Sequence, residues 1–351
     1  MRKPVRLLMV LAALVSLIAT GNAAASPDNA RAEHQRIVDF WTHARVAQAQ
    51  PRHFVVVPGR GFALAKPENP GKPGGGGGGG DSSVVTGASW TTGGDVLETT
   101  GKVLFAMGDS YFVCSASVVT DGSTTDGDAL ILTAGHCAYD ETNGEFATNW
   151  MFIPEYDSAP APLDTQGNFC ADTQWGCWTA RALTVHSGYA TAGGFNDQAV
   201  VHDYAFATVA LGGHGGDDRL DATVGVQGIR FDALDVSTAA AYAFGYPAAQ
   251  KYKGNDLTYC AGAIGTDPNV NDQTYRLACD MTGGSSGGPW LSPFVDDPNG
   301  PASHGTGTLS SVNSYGYRGD SHMYGPMFSS KTEVVYNAAN GSTANRVAGG
   351  S

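Results

Sequence analysis

The stretch DMTGGSSGGPW, residues 280–290, decides the fold. Its glycines and serines predict a loop, and Gly283 and Gly284 can take backbone angles that are closed to other residues. Such angles let the N–H groups of Gly284 and Ser286 point at one spot, where an oxyanion could be bound. The spacing Gly-x-Ser-Gly-Gly-Pro assigns the nucleophile role to Ser286, with Ser285 as the competing hydroxyl.

A serine hydroxyl needs a base to take its proton. The candidate base is His136 in LILTAGHC, residues 130–137, directly after an apolar run that reads as a strand. Cys137 follows the histidine, and a bridge from Cys137 to Cys114 would hold this loop against the neighbouring strand. The position just past a strand end, in this string, favours a catalytic over a structural histidine.

The base in turn needs an acid to orient it. The candidate is Asp203 in DYAFATVAL, residues 203–211. An aspartate that opens an apolar strand is costly unless its charge is paired or used. Asp197 and Asp172 are possible substitutes for this role.

The order of the three candidates along the chain is His136, Asp203, Ser286. An α/β-hydrolase would have the order Ser, Asp, His, although Gly284 to Gly288 also fits the Gly-x-Ser-x-Gly pattern of that fold. Its histidine would have to be His304 or His322, and neither has supporting context. The alternation of strands and long helices that such a fold requires is also missing.

The composition indicates an all-β protein. The 351 residues are 42% hydrophobic, enough for a packed core, and 48 glycines favour short strands and tight turns. From Val84 onward, short β-type runs alternate with turn residues, as in an antiparallel barrel or sandwich. One later helix is predicted, with a capping box at Ser330 and Glu333 and an end at Gly341. The net charge of −13 without a basic stripe argues against nucleic-acid binding.

The N-terminal region divides into two parts. Residues 1–25 have the basic start, short apolar run and Ala-x-Ala site of a signal peptide, which predicts a secreted protein without a membrane segment in its mature form. Residues 26–83 combine helical spacing over about 32–48 with a seven-glycine linker. They are predicted to be a pro-segment or an N-terminal extension without a regulatory role, ahead of a domain over residues 84–345.

Six cysteines follow the signal peptide, and an even number in an oxidising compartment indicates disulfides. The sequence alone does not choose among the pairings, and we expect neighbours along the chain to pair. No Cys-x-x-Cys or His-Glu-x-x-His occurs, so no metal site is predicted, and Asp217-Asp218 reads as a solvated turn. The expected bridges are Cys114–Cys137, Cys170–Cys177 and Cys260–Cys279.

The strings CSASVV, LTAGHC, DYAFATV, CDMTGGSSGGPW, SSVNSYGY and YGPMF, within about residues 101–340, together resemble secreted bacterial serine proteases of the chymotrypsin-like fold. The glutamyl-endopeptidase-like branch is the most similar. The resemblance implies a double antiparallel β-barrel with a short C-terminal helix. His136 and Asp203 would come from the first barrel, about residues 84–212, and Ser286 from the second, about residues 220–340.

The resemblance also implies the activity. It predicts a monomeric serine endopeptidase that cuts protein or peptide substrates without a cofactor or a metal. A catalytically silent protease-like binding protein and a secreted esterase are the alternatives. Trypsin-like zymogens have an aspartate at the position of Ser285, which pairs with a newly cut N-terminal amine. Ser285 cannot form that ion pair, so we expect activation without this switch.

Substrate preference is less clearly marked. Asp280 lies six residues before Ser286, where the trypsin branch places the aspartate that selects Arg or Lys. Thr282 resembles a threonine that lines the pocket in the glutamyl branch, but the histidine of that branch is replaced by Ser310 or Ser311. Asp280, Thr282 and Ser311 are therefore the candidate pocket residues. A basic side chain at the cleavage site is favoured, although Asp280 could equally be structural.

Overall fold

The computed structural model describes residues 27–65, 84–122, 128–158, 169–297, 299 and 304–349. The predicted signal peptide and the glycine linker lie outside these residues. Two large β-sheets, of eight and eleven strands, form most of the described chain. The predicted all-β class is confirmed, and in the part of the chain described no helix is long and apolar enough to cross a membrane.

The N-terminal region has more structure than its sequence pattern indicates. The predicted helical stretch forms two helices, because Thr42 leaves the helical conformation and its Oγ1 caps the second helix by accepting from the Arg45 N–H. Three short strands follow that no sequence pattern predicts. The elements are α1 (Pro27–Phe40), α2 (His43–Gln48), β1 (Gln50–Pro51), β2 (Phe54–Val57) and β3 (Gly61–Leu64).

The first sheet contains a closed barrel. Six antiparallel strands pair in the order β6, β5, β10, β11, β12, β7, and β7 pairs back to β6. Apolar and β-branched side chains fill its interior, and β-branched residues are among those that favour strands. The elements of this part are β4 (Val85–Ser89), α3 (Asp95–Thr99), β5 (Thr100–Met107), β6 (Ser110–Val119), β7 (Ala129–Thr133), β8 (Tyr139–Asp140), β9 (Glu145–Phe146), β10 (Thr148–Pro154), β11 (Trp178–His186), α4 (Ser187–Ala190), α5 (Asp197–Val201) and β12 (Ala205–Val209).

The second sheet is built around six antiparallel strands in the order β18, β17, β14, β15, β16, β20. Its end strands approach each other where Ser311 Oγ donates to the Pro326 carbonyl at 2.8 Å. Short strands extend it, including β4, which pairs with β15. The elements are α6 (Leu220–Val224), β13 (Gly228–Ile229), β14 (Ala240–Gly245), β15 (Thr258–Thr266), β16 (Thr274–Ala278), β17 (Pro289–Val295), β18 (Thr306–Val312), β19 (Tyr315–Tyr317), β20 (His322–Pro326), α7 (Ser330–Ala339) and β21 (Arg346–Ala348).

Three disulfides join neighbours along the chain, as expected, and leave no described cysteine free. Cys114–Cys137 ties β6 to the turn after β7. Cys260–Cys279 ties β15 to the loop that precedes β17. Cys170–Cys177 closes a short loop before β11. Two of the three bridges therefore restrain the two loops that carry the candidate base and the candidate nucleophile.

The predicted C-terminal helix is present, but its capping box is one residue earlier than the sequence pattern indicates. Ser329 is extended and its Oγ accepts from the Lys331 N–H, while Thr332 Oγ1 accepts from the Ser329 N–H. Thr332 is buried and Glu333 is exposed, which explains why Thr332 supplies the reciprocal bond. The helix ends at Ala339, shortly before Gly341.

Candidate active site

His136 and Asp203 form a buried pair in the first barrel. His136 lies in the short 3-10 turn that follows β7, and Asp203 lies between α5 and β12, which pairs with β7. The Nδ1 of His136 is 2.8 Å from Oδ2 of Asp203, and the backbone N–H of His136 donates to Oδ1 at 2.8 Å. Both side chains are fully buried. The carboxylate thus fixes both the backbone and the ring of the histidine, and it favours the tautomer with a proton on Nδ1.

Ser314 is a third member of this group that the sequence pattern does not identify. Its Oγ donates to the same Asp203 Oδ2 that faces the imidazole. Ser314 lies between β18 and β19 in the second sheet, so the bond links the two barrels at the site. The pattern drew attention to Ser311 instead, whose hydroxyl is used by the Pro326 carbonyl.

The nucleophile loop packs directly on the first barrel. The carbonyl of Ser286 accepts from the Ser115 N–H at 2.7 Å and lies 3.8 Å from Sγ of Cys137, next to His136. Gly287 has φ +79°, and a Cβ there would lie 2.1 Å from Oγ1 of Thr133. Only glycine fits this close approach, which gives a packing reason for the glycine that follows Ser286 in the Gly-x-Ser-Gly-Gly-Pro pattern.

The donors proposed for an oxyanion are free of competing acceptors. Gly284 has φ +99°, a value that glycine tolerates best, and its carbonyl accepts from Ser115 Oγ at 2.9 Å. Among the described residues, the N–H groups of Gly284 and Ser286 donate to no other group. The hydroxyl of Ser285 donates to the Thr282 carbonyl at 2.8 Å, so this loop is held by neutral hydrogen bonds.

Asn313 is a second residue that the sequence pattern missed. Its side-chain amide donates to the carbonyls of Phe244 and Ser285, at 2.8 and 2.9 Å, and its Oδ1 accepts from the Trp290 indole at 2.8 Å. Its backbone exchanges hydrogen bonds with Gly287 and Gly288. Every polar group of this buried side chain is therefore bonded, and the side chain joins the nucleophile loop to β14 and β17.

The hydrogen bond between nucleophile and base is not formed in this structure. The Nε2 of His136 is buried and has no hydrogen-bond partner in the described part of the chain. Aromatic rings cover the imidazole instead. Phe54 and Phe195 each meet it edge-on, with ring centroids 5.6 Å away, and they stack on each other at 3.9 Å. Asp203 thus orients the base, and the two rings pack against the imidazole.

The candidate pocket residues have partners of their own. The Asp280 carboxylate pairs with the Lys251 ammonium and accepts from the Tyr252 hydroxyl. Thr282 Oγ1 accepts from the Ala249 N–H at 3.1 Å. The Ser311 hydroxyl is bonded to the Pro326 carbonyl. No contact among the described residues therefore brings the Asp280 carboxylate together with the Thr282 and Ser311 hydroxyls. Their role in selecting a substrate stays a prediction.

Among the residues that the structure describes, one group of potential metal ligands occurs, formed beside this site by Cys114, His136 and Cys137. The two cysteines are joined in a disulfide, and a disulfide sulfur is not the thiolate that binds a metal. Only the imidazole remains, and Asp203 already holds one of its nitrogens. This group does not fit a metal site.

The N-terminal region crosses the site between the two sheets. Strand β1 pairs in parallel with β6, and β2 pairs in parallel with β19, with Phe54 opposite Tyr315. Phe54 from this segment is one of the two rings that cover His136. Residue His53 rests against the nucleophile loop, since a Cβ on Gly283 would lie 2.1 Å from its Nδ1. The segment therefore contacts both the base and the nucleophile loop.

The docking of His53 is predicted to weaken in acid. Burial, with a smaller contribution from the charge of His136, lowers the pKa of His53 from about 6.5 to about 4. The neighbouring cation within residues 50–57 is Arg52. A lowered pKa means that the undocked imidazole takes up a proton first, so the contribution of the neutral imidazole to docking is fully present above pH 6.5 and is lost toward pH 4. From pH 7 to pH 5 we expect protection of the amides of residues 50–57 from hydrogen exchange, corrected for intrinsic rate, to fall about twentyfold.

The His53→Asn variant serves as the control for this pH effect, because it removes the titrating group. We expect its protection to change much less between the two pH values. An equal loss of protection in both chains would show that another group causes the acid response.

The closed six-stranded barrel, the second antiparallel sheet and the buried His–Asp pair beside a glycine-rich serine loop define a chymotrypsin-like fold. No protein-family model and no curated protein matches the sequence. Solved structures do match. The protease Anisep from Arthrobacter nicotinovorans is 36% identical, with a TM-score of 0.54, over 70% of this chain and 96% of that protein.

Two further structures have the same fold. The thermostable serine protease AL20 from an extremophilic microorganism is 33% identical over 71% of this chain and 99% of its own, with a TM-score of 0.54. A Glu endopeptidase matches 75% of this chain and 99% of its own, with a TM-score of 0.51, but at 18% identity it supports the fold alone. The chain belongs to the bacterial serine proteases of the chymotrypsin-like fold.

Proposed function

We propose that the protein is a secreted serine endopeptidase with Ser286 as nucleophile, His136 as general base and Asp203 as the group that orients the base. The observation that carries this proposal is the buried His136–Asp203 pair at 2.8 Å, next to a serine loop with two free N–H donors. A protease at 36% identity and a serine protease at 33% identity support the same reaction class.

In the first half of the reaction, Ser286 Oγ attacks the carbonyl carbon of the scissile bond and its proton passes to Nε2 of His136. The carbonyl oxygen becomes an oxyanion that accepts from the N–H groups of Gly284 and Ser286. Asp203 stabilises the imidazolium that forms. The C–N bond then breaks as Nε2 returns the proton to the leaving amine, and an acyl-enzyme ester remains on Ser286.

In the second half, water replaces the amine. Nε2 takes a proton from the water as its oxygen attacks the ester carbon, and a second oxyanion forms in the same site. The ester C–O bond breaks, the proton returns to Ser286 Oγ, and the carboxylic acid leaves. Ser314 supports both halves by donating to Asp203, which keeps the carboxylate in one orientation.

Two features support an extracellular protein. The sequence begins with the pattern of a signal peptide, and the described chain holds three disulfides, which persist in oxidising compartments. Residues 84–345 would form the protease domain, and residues 26–83 the pro-segment. A preference for basic residues through Asp280 would require Lys251 to leave that carboxylate.

Parallel assays on casein and on short acyl esters test the reaction class. We expect casein to be cleaved with internal peptides as products. Turnover of short esters without any casein cleavage would identify an esterase instead. A well-folded protein that turns over neither, with the N-terminal region removed by cleavage in the glycine linker, would point to a silent binding protein.

A further inference from the structure

A buried anionic pocket lies next to His136 and holds an arginine from the N-terminal segment. The Arg52 guanidinium is 3.0 Å from Oε2 of Glu141, 3.9 Å from Oδ1 of Asp140, and donates to the backbone carbonyl of His136. The Arg52 side chain is 7% exposed and that of Glu141 is 2% exposed. The Tyr189 hydroxyl donates to Glu141 Oε2 at 2.9 Å and completes the pocket.

We propose that Asp140 and Glu141 form a subsite for a basic side chain, and that Arg52 occupies it to hold residues 50–57 across the cleft and keep the enzyme closed. Once the segment departs, the same subsite binds an arginine or lysine side chain of the substrate. The inference rests on the proposed function, because it takes the gap between the barrels to be the substrate cleft.

The charges favour this occupant. A carboxylate as buried as Glu141 is stable in its charged form only with a partner, and Arg52 supplies the only cation that contacts it in the described part of the chain. The guanidinium also has the planar set of donors that suits a carboxylate and a carbonyl together. Removal of Arg52 leaves the acidic group beside an open cleft, where another basic side chain can replace it.

The backbone contacts of the segment need such an anchor. Strand β1 has two residues and β2 has four, and both pair in parallel with the edges of the cleft. Parallel pairs are slightly less stable per residue than antiparallel ones, and the two-stranded hairpin that β2 forms with β3 is by itself only marginally stable. Phe54 adds an aromatic contact that closes His136, and Arg52 lies against that ring at 5.2 Å. The segment thus combines a charged anchor with an apolar cover.

The test begins with hydrogen exchange in full-length chains that carry Ser286→Ala, so that the result does not depend on catalysis. Arg52→Met keeps an unbranched side chain and removes its charge, and Arg60→Met is the matched control because Arg60 is exposed in the turn between β2 and β3. We expect exchange in peptides covering residues 50–57 and 315–317 to accelerate at least tenfold in Arg52→Met. Arg60→Met should match the parent.

Unchanged exchange over α7 verifies that the Arg52→Met variant is folded. In Arg52→Lys, which keeps the charge, residues 50–57 should exchange at a rate between those of the parent and Arg52→Met. Equal exchange of residues 50–57 in the parent and in Arg52→Met would overturn the anchoring role. This outcome is separate from a failure of the proposed nucleophile, which these chains lack.

The substrate side is tested in chains with Ser286 intact and Arg52→Met present. A peptide library is cleaved with and without Glu141→Gln. We expect a preference for Arg and Lys at one substrate position, at least tenfold over Met, which Glu141→Gln removes while the preferences at other positions remain. Identical cleavage profiles in the two chains would overturn the assignment of a basic subsite.

Discussion

Ser286→Ala is expected to lower the turnover of a peptide substrate by about four to six powers of ten, as removal of the nucleophile does in a triad of this kind. The loss follows from the chemistry, because without Oγ no acyl-enzyme forms and only the oxyanion donors and substrate binding remain. Turnover is measured on chains that also carry Arg52→Met, and on the parent background, so that a closed cleft does not hide the effect.

Ser285→Ala is the matched control in the same loop. Its hydroxyl makes one neutral hydrogen bond, to the Thr282 carbonyl, so its loss should reduce turnover by no more than about tenfold. A smaller loss for Ser286→Ala than for Ser285→Ala would contradict the assignment of the nucleophile.

Asp203→Asn is expected to lower turnover by about four powers of ten with little change in the size of the side chain. The carboxylate accepts from the His136 ring, the His136 N–H and the Ser314 hydroxyl. An asparagine amide presents a donor in place of one acceptor oxygen. This favours the tautomer with the proton on Nε2, which cannot take the proton of Ser286.

Asp197→Asn provides the comparison for this variant, because Asp197 is exposed six residues away and was an alternative candidate for the same role. It should retain turnover within about twofold, as exposed substitutions usually do. Thermal melting of both variants separates a catalytic loss from unfolding. A four-decade loss in Asp197→Asn and a small one in Asp203→Asn would move the acid role to Asp197.

The candidate triad could be predicted from the sequence because each member lies in a local string with its own signal. His136 and Asp203 each adjoin an apolar run that forms a strand, and Ser286 lies among glycines that its loop needs. The expected fold followed from the strand pattern and from the resemblance of these strings. For these three residues, the features that suggest the role lie in the neighbouring residues of the chain, so the sequence alone shows them.

Other parts of the site depend on contacts between distant residues. Ser310, Ser311 and Ser314 lie within five positions of one another, and nothing in the local sequence distinguishes their hydroxyls. Only the path of the chain between β18 and β19 brings Ser314 to Asp203. The strands β1 and β2 have no alternating pattern of their own, and they pair with parts of β6 and β19 whose edges are left open by the other described strands. The partnership of Arg52 with Glu141 depends on that pairing, so the closed cleft could not be predicted from either residue.

The most direct test of the central claim is labelling with a peptidyl phosphonate, followed by mass spectrometry of the digested protein. The reagent reacts with a serine that is activated by a base, so we expect a single adduct on Ser286. We also expect slower labelling of the full-length parent than of Arg52→Met, and no adduct in Asp203→Asn on the same timescale. No adduct in folded Arg52→Met, or an adduct on a serine other than Ser286, would contradict it.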